Sequence, residues 1–287
     1  MRPSRSEGPS VSRNSEIRPG LCSVTFRSHA PADVIRFAVD AHLKAIEWGG
    51  DIHVPAGDVV CAKEVRDRTV DGGLAVASYG SYLRLGSSTG SEQEAVVETA
   101  VALGAPRIRV WAGTRGSAAA EPHHWAGVVH DAREFTDTAA SADVLVGLEF
   151  HGGTLTDRAE STAALLSEIE RERGLGTYWQ PPQGMPDVEA LRGLDLLAGN
   201  VLAVHAFSWW PTDERRPLAD RFDLWCAVLE RMHGQRSLND VLFEFVLGDS
   251  ATQLARDAGT LLRLIEEVSR EARPELPEVA AARQAAT

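Results

Sequence analysis

The 287-residue chain is predicted to fold as a single-domain α/β protein, a (β/α)8 TIM barrel. Two observations carry that expectation. Short β-type runs alternate with longer amphipathic stretches about eight times over roughly 250 residues, the length of one such barrel. No GxGxxG turn joins a strand to a helix, which disfavours the doubly wound open sheet.

The elements follow in order. Residues 21–26 form the first expected strand. A helix over 31–43 follows, with Pro31 early and Val34, Ile35, Ala38 and Val39 as its apolar positions. The second strand, 45–48, ends against Gly49 and Gly50, and the segment holding Lys63 reads as a polar helix. Strand three covers 74–79, followed by a helix over 92–103 with Gly104 at its end. Strand four covers 107–111, and a helix lies within 122–141. Strand five, 144–150, is followed by a helix over 157–171, and strand six, 177–180, by one over 187–197. Strand seven, 201–207, precedes a helix over 221–232. Strand eight, 241–245, precedes the closing helix over 252–268.

Outside this run, residues 1–20 are rich in Arg, Ser, Pro and Gly and lack the apolar core of a secretory signal. They are expected to be a disordered tail. The barrel is expected over 21–270, with a flexible C-terminal tail at 271–287.

Composition narrows the chemistry. Hydrophobic residues at 44% and charged residues at 24% are ordinary for a globular protein and exclude a largely disordered chain. No apolar run reaches the roughly 18 residues of a membrane span. A net charge of −12 repels phosphate backbones over the general surface, so no nucleic-acid or membrane partner is expected. The only lysines are Lys44, before strand two at the wrong end of a barrel, and Lys63, so a Schiff-base mechanism lacks a candidate. Cys22, Cys61 and Cys226 are odd in number and far apart. They argue against a disulfide framework and fit a reducing cytoplasm.

In a (β/α)8 barrel, chemistry gathers at the C-terminal ends of the strands. The polar residues there are Glu47, Tyr79, Arg109, Glu149, His151, Gln180, His205 and Glu244. Glu149 in VGLEFHGG and Glu244 in VLFEFV sit in apolar strands. A buried carboxylate must be paired, protonated or bound to a metal. With His205 in LAVHAFSWW they form a mixed N/O donor set suited to Mn²⁺, Co²⁺, Mg²⁺ or Zn²⁺. His53 follows the Gly49–Gly50 turn, and His151 lies on the same side of its strand as Glu149 by period two. Glu47 can meet substrate hydroxyls or pair with Arg109 inside the barrel. Arg109 and Arg216 can grip a phosphate or carboxylate, and Trp179 and Trp209 can stack on a sugar face.

The runs IEWGGDIHVPAGD, GAPRIRVWAG, GLEFHGG, TYWQPPQ, VHAFSWW and LFEFVLGDS occur in this order over about residues 21 to 270. With them the chain resembles the xylose isomerase-like TIM-barrel superfamily, in particular its sugar phosphate isomerase/epimerase group. The resemblance implies one divalent metal ion held by Glu149, Gln180, His205 and Glu244. Gln180 stands where the family usually has Asp and adds no negative charge. It further implies an isomerase or epimerase of a sugar or sugar-like polyol, with Glu149 and Glu244 exchanging the proton next to a carbonyl. Substrate contacts would come from Glu47, His53, Arg109, His151, Trp179, Trp209 and Arg216. A dehydratase-type lyase on the same scaffold and a sugar-binding barrel that has lost its metal are the alternatives. Homo-oligomers are common in the superfamily.

Overall fold

The computed structural model describes residues 17–169, 174–233 and 240–271. Eight parallel strands close into a barrel in the order β1-β10-β7-β6-β5-β4-β3-β2. They are β1 (Arg18–Cys22), β2 (Ala45–Gly49), β3 (Ala75–Leu85), β4 (Arg107–Ala112), β5 (Leu145–Glu149), β6 (Leu175–Trp179), β7 (Val201–Ala206) and β10 (Asp240–Phe243). A two-strand hairpin, β8 (Ser208–Trp209) with β9 (Arg215–Arg216), rises from the top of β7. Among the described residues eight α-helices surround the barrel: α1 (Pro31–Asp40), α2 (Val59–Asp71), α3 (Gly90–Leu103), α4 (Pro122–Ala140), α5 (Ala159–Ile169), α6 (Asp187–Leu197), α7 (Phe222–Met232) and α8 (Ala251–Glu271). The single-domain (β/α)8 expectation holds.

Local chemistry sets the helix ends. Asp58 caps α2 by accepting from the Cys61 N–H at 2.9 Å. Thr89 and Glu92 form a capping box on α3, which ends on Gly104 at φ 70°. Along α8, Leu254, Leu261, Leu264 and Val268 recur at helical spacing and face the barrel. The main apolar core fills the shell between helices and strands, with Trp48, Phe135 and Trp225 fully buried in it.

Several boundaries differ from expectation for identifiable reasons. The first strand covers 18–22 rather than 21–26. Arg18 enters the sheet opposite Asp240 and donates to its carboxylate, so ordered barrel begins inside the expected tail. Residues Ser23–Phe26 turn into a 3-10 helix instead. Strand three runs on to Leu85, beyond the expected 79, by pairing Arg84 and Leu85 with Trp111 and Ala112. Strand eight stops at Phe243 because Phe245 adopts φ 52°, a left-handed backbone that cannot continue a strand. Most of the expected tails, 1–16 and 272–287, lies outside the described residues.

Two polar layers cross the barrel interior. In the lower one Arg107 donates to Asp240, to the Leu202 carbonyl at 2.8 Å and to the Ala77 carbonyl at 3.0 Å. Small residues make room for large ones: a Cβ on Gly147 would lie 2.3 Å from the Tyr178 ring. The upper layer, at the C-terminal strand ends, holds the candidate site.

Candidate active site

Period-two alternation brings the inward residues of six strands to one level. Glu47 lies mid-way along β2, in register with Cys22 of β1. Arg109 is on β4, Glu149 ends β5, His205 is on β7, and Glu244 follows β10. Their positions are fixed by closure of the sheet, and all six are at least 95% buried.

Arg109 organises the layer. Its Nε donates to Glu47 Oε1 at 2.9 Å, and its Nη1 donates to Glu149 Oε2. The Trp111 indole N–H donates to that same Glu149 oxygen. Ser78 donates to the second Glu47 oxygen at 2.7 Å. Gly80 leaves space for this pair, since a Cβ there would lie 2.8 Å from both Arg109 Nη2 and Glu47 Oε1. Burial works to raise the Glu47 pKa, but Arg109, His205 and Ser78 together hold it well below the ordinary glutamate range.

Opposite this clamp, His205 stands among carboxylates. Its Nδ1 lies 3.6 Å from Glu244 Oε2, 3.8 Å from Glu149 Oε1 and 3.0 Å from Gln180 Oε1. Its Nε2 faces Glu47 Oε1 at 3.6 Å and makes no hydrogen bond. Burial lowers the imidazole pKa, but Glu244 and Glu47 outweigh it and the net shift is upward. Burial, reinforced by the nearby Glu149 charge and opposed by His205 and Arg109, pushes Glu244 up to about 7. Thr25 helps set its position by accepting from the Phe245 N–H at 3.1 Å.

The donor chemistry fits a divalent cation. One ligand atom each from Glu149, His205 and Glu244 lie within 4.8 Å of one another. With all three carboxylates ionised and His205 neutral, the one guanidinium leaves the layer two negative charges in excess, which a divalent cation would balance. Gln180 can add a neutral oxygen.

Above the cluster lies a cavity of about 210 Å³. Arg109, Glu149, Gln180 and Glu244 supply polar groups, and Tyr82, Trp111, Phe207, Trp209 and Phe245 supply aromatic walls. His151 also lines it, with its ring 5.1 Å from that of Trp111. The Trp209 indole N–H is buried there without a partner. Larger clefts over α5 and α6 (about 590 Å³) and beside α3 (about 490 Å³) do not reach the carboxylates.

Four residues expected to contact substrate do not line this cavity: Glu47 has its two oxygens engaged by Arg109 and Ser78, and three more lie elsewhere. His53 is buried with both ring nitrogens engaged, Nδ1 with Ser23 Oγ at 2.9 Å and Nε2 with the His29 carbonyl at 3.1 Å. Trp179 precedes Gln180, so strand alternation points it outward to the α5–α6 cleft. Arg216 projects from the hairpin, held by the Trp210 carbonyl and Glu214, each at 2.8 Å. Sequence reasoning missed Tyr82, Phe207 and Phe245 as walls. Period two from His205 would have found Phe207; Tyr82 depends on the unforeseen extension of β3.

Comparison with known proteins agrees with this architecture. The probable 3-DHS dehydratase AsbF involved in petrobactin synthesis, from Bacillus anthracis, is similar at TM-score 0.70 and 18% identity, over 86% of this chain and 99% of that one. An L-ribulose 3-epimerase is similar at TM-score 0.68 and 15% identity, over 91% and 100%. D-Psicose 3-epimerase from Clostridium cellulolyticum H10, with D-tagatose, is similar at TM-score 0.64 and 13% identity, over 88% and 99%. At such identities the likeness establishes the fold alone. No curated protein matches the chain. The model of the xylose isomerase-like TIM barrel matches residues 35–222, and the chain belongs to that family.

Proposed function

We propose that the chain is a divalent-metal-dependent isomerase or epimerase of a sugar or sugar-like polyol. One observation carries the reading: Glu149, His205 and Glu244 bring ligand atoms within 4.8 Å of one another in the upper layer, with Glu149 and Glu244 lining the cavity. Glu149, His205 and Glu244 would hold the ion, with Gln180 as a neutral fourth donor. When bound, the ion supplies Lewis-acid polarisation of a substrate carbonyl. Glu149 and Glu244 then share the proton work: one carboxylate oxygen accepts the proton next to the carbonyl, and the other glutamate returns one. Arg109 and Trp111 keep Glu149 oriented through Oε2 and leave Oε1 for this role. The aromatic walls exclude water and offer faces for the C–H side of a sugar ring.

Metal content tests the reading. Protein purified without chelator and offered Mn²⁺, Co²⁺, Mg²⁺ and Zn²⁺ should retain about one equivalent at this site, and Glu244→Gln should lose it. No retention of any of the four ions would sink the metal-dependent reading. A sugar and polyol screen with product analysis then separates isomerisation from dehydration, because only a lyase releases water.

A further inference from the structure

His205 presents one nitrogen to the cavity cluster and the other to a different set of ligands. On the far side, Cys22 Sγ, Glu47 and His205 offer ligand atoms within 4.8 Å of one another. Cys22 and His205 are fully buried, and Glu47 is 1% exposed. A second observation points to a ligand here. His205 Nε2 faces this cluster with no hydrogen-bond partner, although a buried polar atom normally has one. Neither the proton-transfer chemistry above nor the cavity uses Cys22.

We propose that Cys22, Glu47 and the Nε2 of His205 form a second cation site, for a zinc-class ion that accepts sulfur, nitrogen and oxygen ligands. The three groups supply three corners of the four that such an ion takes. A thiolate and a carboxylate together match a divalent charge, and the thiol proton leaves to solvent as the Sγ–metal bond forms. Arg109 also contacts Glu47 Oε1, but its charge is answered by Glu149 on its other arm. The two sites stand back to back on one imidazole, and filling both at once also releases its ring N–H proton to solvent. The thiolate distinguishes this one, because the cavity site offers only nitrogen and oxygen. The inference does not depend on the proposed activity.

Cobalt titration of the metal-free full-length protein tests it. Co²⁺ should produce a near-ultraviolet thiolate-to-cobalt charge-transfer band, with release of about one thiol proton per ion bound at this site. Glu244→Gln, which removes the cavity site, should keep the band, and Cys22→Ser should lose it. The double variant Cys61→Ser, Cys226→Ser leaves Cys22 as the sole thiol and must also keep it; this holds even if Cys22→Ser fails to fold. Cobalt uptake without the band, or a band lost in the double variant, would overturn the proposal. Loss of cavity metal with the band intact would instead count against the proposed function alone.

Discussion

The barrel holds two buried polar layers built from the same residue types, and they differ in charge balance. In the lower layer two guanidiniums, Arg18 and Arg107, converge on one carboxylate, Asp240. In the upper layer three carboxylates and an imidazole surround one guanidinium, Arg109. Carbonyl oxygens of Ala77 and Leu202 help to satisfy the lower cations, so that layer, apart from the unpaired Arg107 Nε, closes on itself. The upper layer keeps surplus acceptors and adjoins a cavity. Ion pairing inside a barrel is therefore not by itself a sign of chemistry. An unbalanced pairing beside a cavity is.

The largest expected effect is in the closed layer. Asp240→Asn strands two guanidiniums without their carboxylate, and breaking a buried pair this way costs about 3–5 kcal/mol. Urea unfolding should show that loss, and a change below about 1 kcal/mol would remove the layer's structural role. The open layer should respond in the opposite sense. Glu149→Gln and Glu244→Gln should each lower turnover by about 10²–10⁴-fold, the usual contribution of a general acid or base. For Glu244→Gln, stability should stay close to the parent, because removing one of several crowded carboxylates also relieves repulsion. Equal loss of stability and activity would erase the contrast between layers.

A third test uses pH. The folded-state pKa of Glu47 lies below its unfolded value, so its stabilising contribution is present above the ordinary glutamate range. It begins to be lost as the pH falls through that range and is gone only below the depressed folded-state value. The thermal midpoint should decline on acidification from about pH 5 to about pH 3, and Glu47→Gln should flatten the slope. An unchanged slope would show that Arg109 does not depend on that charge. The smallest effect is at the cavity wall. Trp209→Phe keeps the aromatic face but removes the unpartnered N–H, and should raise KM by about 5- to 10-fold, one hydrogen bond's worth, with kcat little changed.

Much of this is legible in the sequence. Glu149 and Glu244 are marked by carboxylates within apolar strands, and a buried charge demands a partner whatever the fold. His151 follows from Glu149 by period two. The same rule, applied from Gln180, would have turned Trp179 away from the cavity, since adjacent strand residues face opposite sides. His53 was less accessible to such reasoning: its partners, Ser23 and the His29 carbonyl, come from another loop.

The sequence alone determined the repeating strand–helix order and the acidic, lysine-poor composition that excludes whole classes of chemistry. It also determined which strands carry titratable groups. Periodicity and burial cost are local properties, and a single chain displays them directly. Only the tertiary structure decided who meets whom. Closure of eight strands put Arg109 between Glu47 and Glu149, and set Cys22 behind His205. It also placed Tyr82 and Phe245 over the same cavity. Those neighbours lie tens to hundreds of residues apart, and the shear and register of the closed sheet, rather than any local propensity, bring them together.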